Sequence, residues 1–274
     1  MKYMVLLALA SIATAKPVLI NDAYLVSAFG AGVGAYFDES DSYSVEKLKK
    51  QADSAPFRVK GLQIPTAVPE SPEEAVYLVG AVYQYGESEE WHVAGVASAW
   101  ALTTDGVMVT NYHLFEKAKG TLMGVCDRRG KSYPITEVLA ASKKDDVVIF
   151  KTSATGIAAF PLGPALDAGA GVHVVSHPKR RFFTHTKGIV SRYYVRPNKD
   201  NPEPTIWMSI TADFAVGSSG GPVLDEQNRL VGMVANTHPI YTGRKIGDDA
   251  KGSQQMVVKN CVPVSVIKKM TSDE

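Results

Sequence analysis

From Ala75 to the C-terminus, apolar residues gather in short runs, and turn-forming residues separate them. Runs of this length, rich in Val, Ile, Thr and aromatics and bounded by Gly, Asp or Pro, predict strands. Six fall in the first half: "AVYLVGAVYQY", "HVAGVASAWAL", "VMVT", "TLMGVCD", "ITEVLAA" and "VVIFKT". A looser stretch, "SATGIAAFPLGPALDAGA", follows. Six more come after it: "GVHVVSH", "KGIVSRYYV", "TIWMSIT", "GPVLD", "RLVGMVANT" and "QQMVVKNCV". "TTDGV" supplies a hairpin turn before "VMVT", because Asp-Gly favours positive φ. "DRRGK" turns the chain after the fourth run. The closing "VSVIKKM" is amphipathic and predicts a short helix. The expected fold class is all-β: two six-stranded antiparallel β-barrels, at about residues 75–152 and 171–263, with a short C-terminal helix. Closing each sheet removes the edges it would otherwise expose.

Residues 16–70 have no steady period and read as an N-terminal extension, pro-segment or linker before a domain at 71–274. "AYLVSAFGAGVGAYF" is apolar but rich in Gly and Ala, "SVEKLKKQAD" predicts one short helix, and "APFRVKGLQIPTAVPE" is Pro-punctuated and extended. "SPEEAV" carries the signals of a helix start, with Ser71 as N-cap, Pro72 in the first turn and Glu73-Glu74 after it.

The N-terminus changes the picture of where the chain works. Lys2, the apolar Met4–Ile12 and the small-x-small Ala13-Thr14-Ala15 form a secretory signal peptide over residues 1–15, cleaved near Ala15. The segment is shorter than the roughly 20 apolar residues of a membrane span. The mature protein is expected to be exported, secreted or periplasmic, without stable membrane insertion. Net charge is +1, so no global field favours nucleic acid. Lys179-Arg180-Arg181 is the densest basic spot and reads as a solvated loop. Cys126 and Cys261 either bridge or stay as small buried residues, and their apolar surroundings favour burial. No cofactor or metal site is expected. His173 and His177 alternate onto one face of "HVVSH", but no third ligand has metal-binding spacing.

Three local patterns occur in order: "GVMVTNYHLF" with His113, "KKDDVVIFKT" with Asp146, and "GSSGGPVLD" with Ser219. In "VTNYH" and "GSSGGP" above all, the chain resembles a trypsin-like serine peptidase of the chymotrypsin fold. It is similar in style to the HtrA/Deg-like bacterial branch, over residues 75–270. "VSHP", "TKGIVS", "RLVGMV" and "CVPVSVIKKM" fall where that branch has corresponding elements, and the PDZ adaptor common in that branch is not expected here. The resemblance implies an exported serine endopeptidase that acts on protein or peptide substrates. The alternative is a protease-like binding or scaffold protein without turnover.

The chemistry behind that resemblance is explicit. A serine hydroxyl is a poor nucleophile at neutral pH and needs a base. Histidine titrates near neutrality, and a carboxylate on its other nitrogen fixes the tautomer. His113 and Asp146 would sit in barrel one and Ser219 in barrel two, with the site between them. Asp145 competes with Asp146, which directly precedes the apolar run. Ser218 competes with Ser219, which alone precedes Gly-Gly-Pro. The amides of Gly217 and Ser219 would form the oxyanion hole. Ser218 replaces the aspartate with which chymotrypsin-type zymogens pair a freed N-terminus. N-terminal ammonium activation is therefore not expected.

Asp213, six residues before Ser219, matches the position of the aspartate at the base of trypsin's primary pocket. A buried carboxylate there selects Arg or Lys, whereas the HtrA-like branch prefers small apolar residues. A surface loop or hydrogen-bonding role for Asp213 is the default. Substrate backbone is expected to add a strand to Val234, Ala235, Asn236 and Thr237. Ala235 stands where trypsin has a serine touching the triad carboxylate. His177 fills a position where the branch often has Asn.

Overall fold

The computed structural model describes residues 18–37, 43–86, 88–198, 201–242 and 252–273. The expected signal peptide, residues 1–15, lies outside them. Six strands form the first barrel: β1 (Val76–Gln84), β2 (Trp91–Ala101), β3 (Val107–Thr110), β4 (Leu122–Cys126), β5 (Ser132–Ser142) and β6 (Val147–Thr152). Their order is β1-β2-β3-β6-β5-β4, and β4 closes back onto β1. Six more repeat the plan: β7 (Gly171–Ser176), β8 (Thr184–Asn198), β9 (Asn201–Ile210), β10 (Pro222–Leu224), β11 (Leu230–Thr242) and β12 (Ser253–Pro263). They pair in the ring β10-β11-β12-β9-β8-β7, also antiparallel throughout.

The nearly unbroken burial of β1 follows from having two cores to serve. Tyr77, Val79 and Ala81 join a cluster with Met108, Phe115 and Phe150. The alternate residues Val76, Leu78 and Val82 join a second cluster. That cluster also takes Phe182, Leu224 and Met233 from the second barrel, so it mortars the two barrels together. Strands buried on both faces read as apolar runs rather than alternations.

The described part of residues 16–70 packs against the barrels. Helices α1 (Asp22–Gly34) and α2 (Val45–Ser54) both dock on the first barrel. α1 buries Leu25, Phe29 and Val33 in the shared cluster. A Cβ on Gly30 would come within 2.7 Å of the Trp91 carbonyl oxygen, so glycine is what lets α1 lie against β2. Gly30 and Gly34 are thus part of its docking surface, beside Leu25, Phe29 and Val33. α2 is the predicted short helix, capped by the Ser44 hydroxyl on the Lys47 amide at 3.3 Å. The Pro-rich stretch is a strap. Pro56 O accepts from the Ala141 amide, and the Val59 amide donates to Met270 O, both at 2.9 Å. The helix start expected at Ser71 is corrected to a single 3-10 turn, Pro72–Ala75, without a side-chain cap bond. Strand β1 begins at the next residue and takes the backbone away. The closing helix, Val264–Thr271, buries Val264, Val266, Ile267 and Met270.

Candidate active site

His113 sits in the first turn of α3 (Tyr112–Glu116), directly after β3. Two buried aromatics fix this short helix. Phe115 packs on Phe150 with ring centroids 5.8 Å apart, and the Tyr112 hydroxyl bonds Asp53 of α2. Burying a Phe side chain contributes about 2–3 kcal/mol, which offsets part of the cost of ordering this short helix. Asp146 enters from the turn before β6. Its Oδ2 lies 2.9 Å from His113 Nδ1, and its Oδ1 accepts the His113 amide at 2.9 Å. The Asn111 side-chain amide donates to Asp146 O at 3.0 Å. Asp146 adopts φ +58, a conformation uncommon for a residue with a Cβ, which aims its carboxylate at the histidine. Asp145 points elsewhere: it is buried and accepts the Ser142 hydroxyl at 2.7 Å.

Ser219 lies on the loop that enters β10. The turn is braced from three sides. The Ser98 amide of β2 donates to Ser219 O at 2.9 Å, and the Ser98 hydroxyl donates to Gly217 O at 3.2 Å. The Lys179 amide donates to Val216 O at 2.7 Å. Ser218 is fully buried, and its hydroxyl accepts that of Ser176 at 2.9 Å. Gly217 has φ +98, and a Cβ there would meet His177 O at 2.5 Å. Only glycine satisfies both constraints. Among the described residues, neither the Gly217 nor the Ser219 amide donates to a protein group. The Ser219 hydroxyl donates to Ala235 O at 3.2 Å.

His113, Asp146 and Ser219 line one cleft of about 440 Å³, with Phe214, Val216 and Ala235 on its walls. A second cleft, of about 360 Å³, lies against β1 and β2 and is again lined by His113 and Ser219. The two residues therefore face a groove that runs to both sides of them. Asp213 is not part of the groove wall. Its side chain is 83% exposed and pairs with Lys259 Nζ at 2.6 Å, the surface role taken as its default and not a place at a pocket base among the substrate-binding residues. Val234 is corrected too: its amide donates to Gly221 O and its carbonyl accepts the Gly220 amide, so its main chain is already used. The register shifts between Val234 and Asn236, and β11 then leaves β10. Asn236 and Thr237 are exposed beyond that bulge, while Ala235 is buried.

His177 is fully buried between Phe182 and Phe183, with ring centroids 5.6 and 4.8 Å away. Its Nδ1 accepts the Phe183 amide at 3.1 Å, and burial pushes the imidazole down to about 4. His173 instead reaches Asp225 O with Nε2 at 3.1 Å. Among the described residues no three His, Cys, Asp or Glu side chains gather as metal ligands. Cys126 and Cys261 are both free and buried, one in each barrel, so they do not bridge.

Residues 97–233 match the family model for the trypsin-like peptidase domain. The chain belongs to the trypsin-like peptidase family. It is 29% identical over 152 residues to a probable periplasmic serine endoprotease, DegP-like, of Halomonas elongata, covering 54% of this chain and 30% of the relative. It is also 28% identical over 178 residues to the anti-sigma-I factor RsgI9 of Acetivibrio thermocellus, covering 62% and 24%. The chain thus spans less than a third of the length of these relatives. In fold it is similar to the HtrA-type protease AlgW with decapeptide, with a TM-score of 0.55 at 16% identity over 72% of this chain and 63% of that one.

Within this trypsin-like peptidase, several residues that shape the site were not singled out by the sequence. Ser98 carries one signal: it is the lone hydroxyl in the apolar run "VASAWAL". Asn111 sits inside the "TNYH" motif, yet its contact with Asp146 is made across 35 residues. Ser176 gives no local sign that it will meet Ser218.

Proposed function

We propose that the chain is a serine endopeptidase, exported to the periplasm or beyond, that cleaves peptide bonds through an acyl-enzyme on Ser219. The observation that carries this reading is His113 held by Asp146 at 2.9 Å on the groove that also presents Ser219. In the reaction, the Ser219 hydroxyl turns from Ala235 O toward His113 Nε2. Ser219 Oγ attacks the scissile carbonyl carbon, and His113 takes the hydroxyl proton. The carbonyl oxygen becomes an oxyanion and accepts the free amides of Gly217 and Ser219. His113 then protonates the leaving amine, the C–N bond breaks, and an ester remains on Ser219. Water, deprotonated by His113, attacks that ester, the acyl C–O bond to Ser219 breaks, His113 returns the proton to Ser219 Oγ, and the acid is released. Asp146 keeps the histidine tautomer and stabilises the imidazolium.

The substrate is a protein or peptide in extended form. Its backbone pairs with the exposed edge of β11 at Asn236 and Thr237, past the bulge at Ala235. The walls of the cleft at Phe214, Val216 and Ala235 favour small apolar side chains before the cut. Export is supported by the leader-like residues 1–15 and by the description of the Halomonas relative as periplasmic. No helix among the described residues is long and apolar enough to cross a membrane.

A second reading, a protease-like binding protein without turnover, draws on the Ser219 hydroxyl bonding Ala235 O. Labelling by a fluorophosphonate probe decides between them. The peptidase reading expects labelling that disappears in Ser219→Ala. Folded wild-type protein that stays unlabelled and leaves a peptide library uncut would establish the binding reading.

A further inference from the structure

The loop behind the oxyanion turn, residues 177–183, stands in an unfavourable backbone conformation. Lys179, Arg180 and Phe183 have φ of 50, 61 and 54, and they are three of the five non-glycine residues with positive φ among those described. Residues with a Cβ avoid this region, so such a loop persists only where its surroundings over-determine it. On its inner side it touches the proposed catalytic turn. The Lys179 amide donates to Val216 O at 2.7 Å, and His177 O lies 2.5 Å from where a Cβ of Gly217 would be. On its outer side the N-terminal segment adds a hold to the one given by Phe182 and Phe183, which are buried in the shared cluster. Asp22 Oδ1, at the first residue of α1, accepts the Phe182 amide at 3.0 Å. The Arg180 guanidinium adds a longer contact to Val93 O at 3.4 Å.

We propose that Asp22 is a positioning residue for the oxyanion hole, and that α1 thereby acts as a built-in activator of the peptidase site. The link runs Asp22, Phe182 amide, the left-handed loop 177–183, Val216 and Gly217. It rests on the reading of Gly217 and Ser219 as oxyanion donors. The usual charge beneath such a turn is missing here: Ser218 is neutral, and its hydroxyl bonds only neutral groups, the Ser176 hydroxyl and the Ala215 amide. A carboxylate from the N-terminal helix, acting one loop further out, supplies the external hold instead. α1 is docked through Leu25, Phe29 and Val33, so Asp22 is presented from a rigid element. The helix does not need Asp22 for its cap, because Asn21 Oδ1 accepts the Tyr24 amide at 3.0 Å.

Three variants of the full chain test this. Asp22→Ala removes the acceptor. Asp22→Asn keeps an acceptor oxygen without the charge. Asn21→Ala weakens the α1 cap without touching Phe182. The readouts are kcat and KM on a peptide substrate, and amide hydrogen exchange over residues 177–183 and 215–219. Losing one oxyanion donor outright costs about 100- to 1000-fold, so loosening both is expected to lower kcat about 10-fold in Asp22→Ala. KM should change less than about twofold, because no substrate contact to the groove or β11 is lost. Exchange should rise in both segments. Asp22→Asn should restore most of kcat, and Asn21→Ala should match wild type. The proposal is overturned if kcat is unchanged in Asp22→Ala, if faster exchange stays within α1, or if Asn21→Ala reproduces the loss. Exchange is read without turnover. If wild-type protein shows no Ser219-dependent cleavage, the peptidase reading falls, and exchange at 215–219 still decides whether Asp22 holds the turn.

Discussion

Asp146 grips His113 at two points, the ring Nδ1 and the main-chain amide, each at 2.9 Å from a different carboxylate oxygen. Ala235 provides no hydroxyl to hold that carboxylate, and the His113 amide does so instead. Asp146→Asn keeps the shape but presents an amide that can favour the wrong histidine tautomer. In the proposed mechanism kcat on a peptide substrate should fall by about 10⁴. Asp145→Asn, away from the histidine, should leave kcat within a few-fold and cost stability instead, on the order of 1–3 kcal/mol, through its buried bond to Ser142. Steady-state kinetics and urea melts on the two variants separate these outcomes.

Gly217→Ala meets two obstacles, φ +98 and the His177 carbonyl oxygen 2.5 Å from the new Cβ. The turn must move, and the Gly217 amide moves with it. A kcat drop of about 100-fold or more is expected, with fluorophosphonate labelling of Ser219 slowed in parallel. Labelling at the wild-type rate would show that the Gly217 amide is not an oxyanion donor.

His177 makes stability depend on pH. Burial lowers its pKa from 6.5 to about 4, so the unfolded chain binds the proton more tightly. The neutral form is compatible with the fold, and protonation favours unfolding. The contribution of this residue is therefore full above pH 6.5 and is lost as pH falls toward 4, by about 3 kcal/mol in total. His177→Gln should flatten the slope of unfolding free energy over that window, as measured by chemical denaturation at several pH values.

Asp213 stands outside the groove, exposed and paired with Lys259. Asp213→Ala should leave cleavage preference unchanged, with small apolar residues still favoured over Arg and Lys. A peptide-library profile checks this. A basic preference that vanished in the variant would put Asp213 back in the pocket.

Ser218 is buried without charge. An N-terminal ammonium would have no carboxylate to meet there. Acetylating the mature N-terminal amine should leave kcat unchanged in a direct comparison of the two forms.

Much of this was legible from local pattern. The apolar runs and the Gly, Asp and Pro between them gave both rings of six strands and the closing helix, because strand burial and turn conformation depend on neighbouring residues. The motifs around His113, Asp146 and Ser219 likewise combine a turn with the strand next to it. Tertiary structure alone decided the rest, since each remaining feature is a contact between distant segments. α1 is apolar on most sides, and only the burial of Leu25, Phe29 and Val33 and the fit of Gly30 against Trp91 show which face docks. Val234 looks like an open strand until the Gly220–Gly221 loop is folded onto it. Asp213 acquires its exposure from where the loop leaves β9, and Asp22 finds Phe182 across 160 residues. Closing the barrels against one another makes those meetings, and no local pattern encodes them.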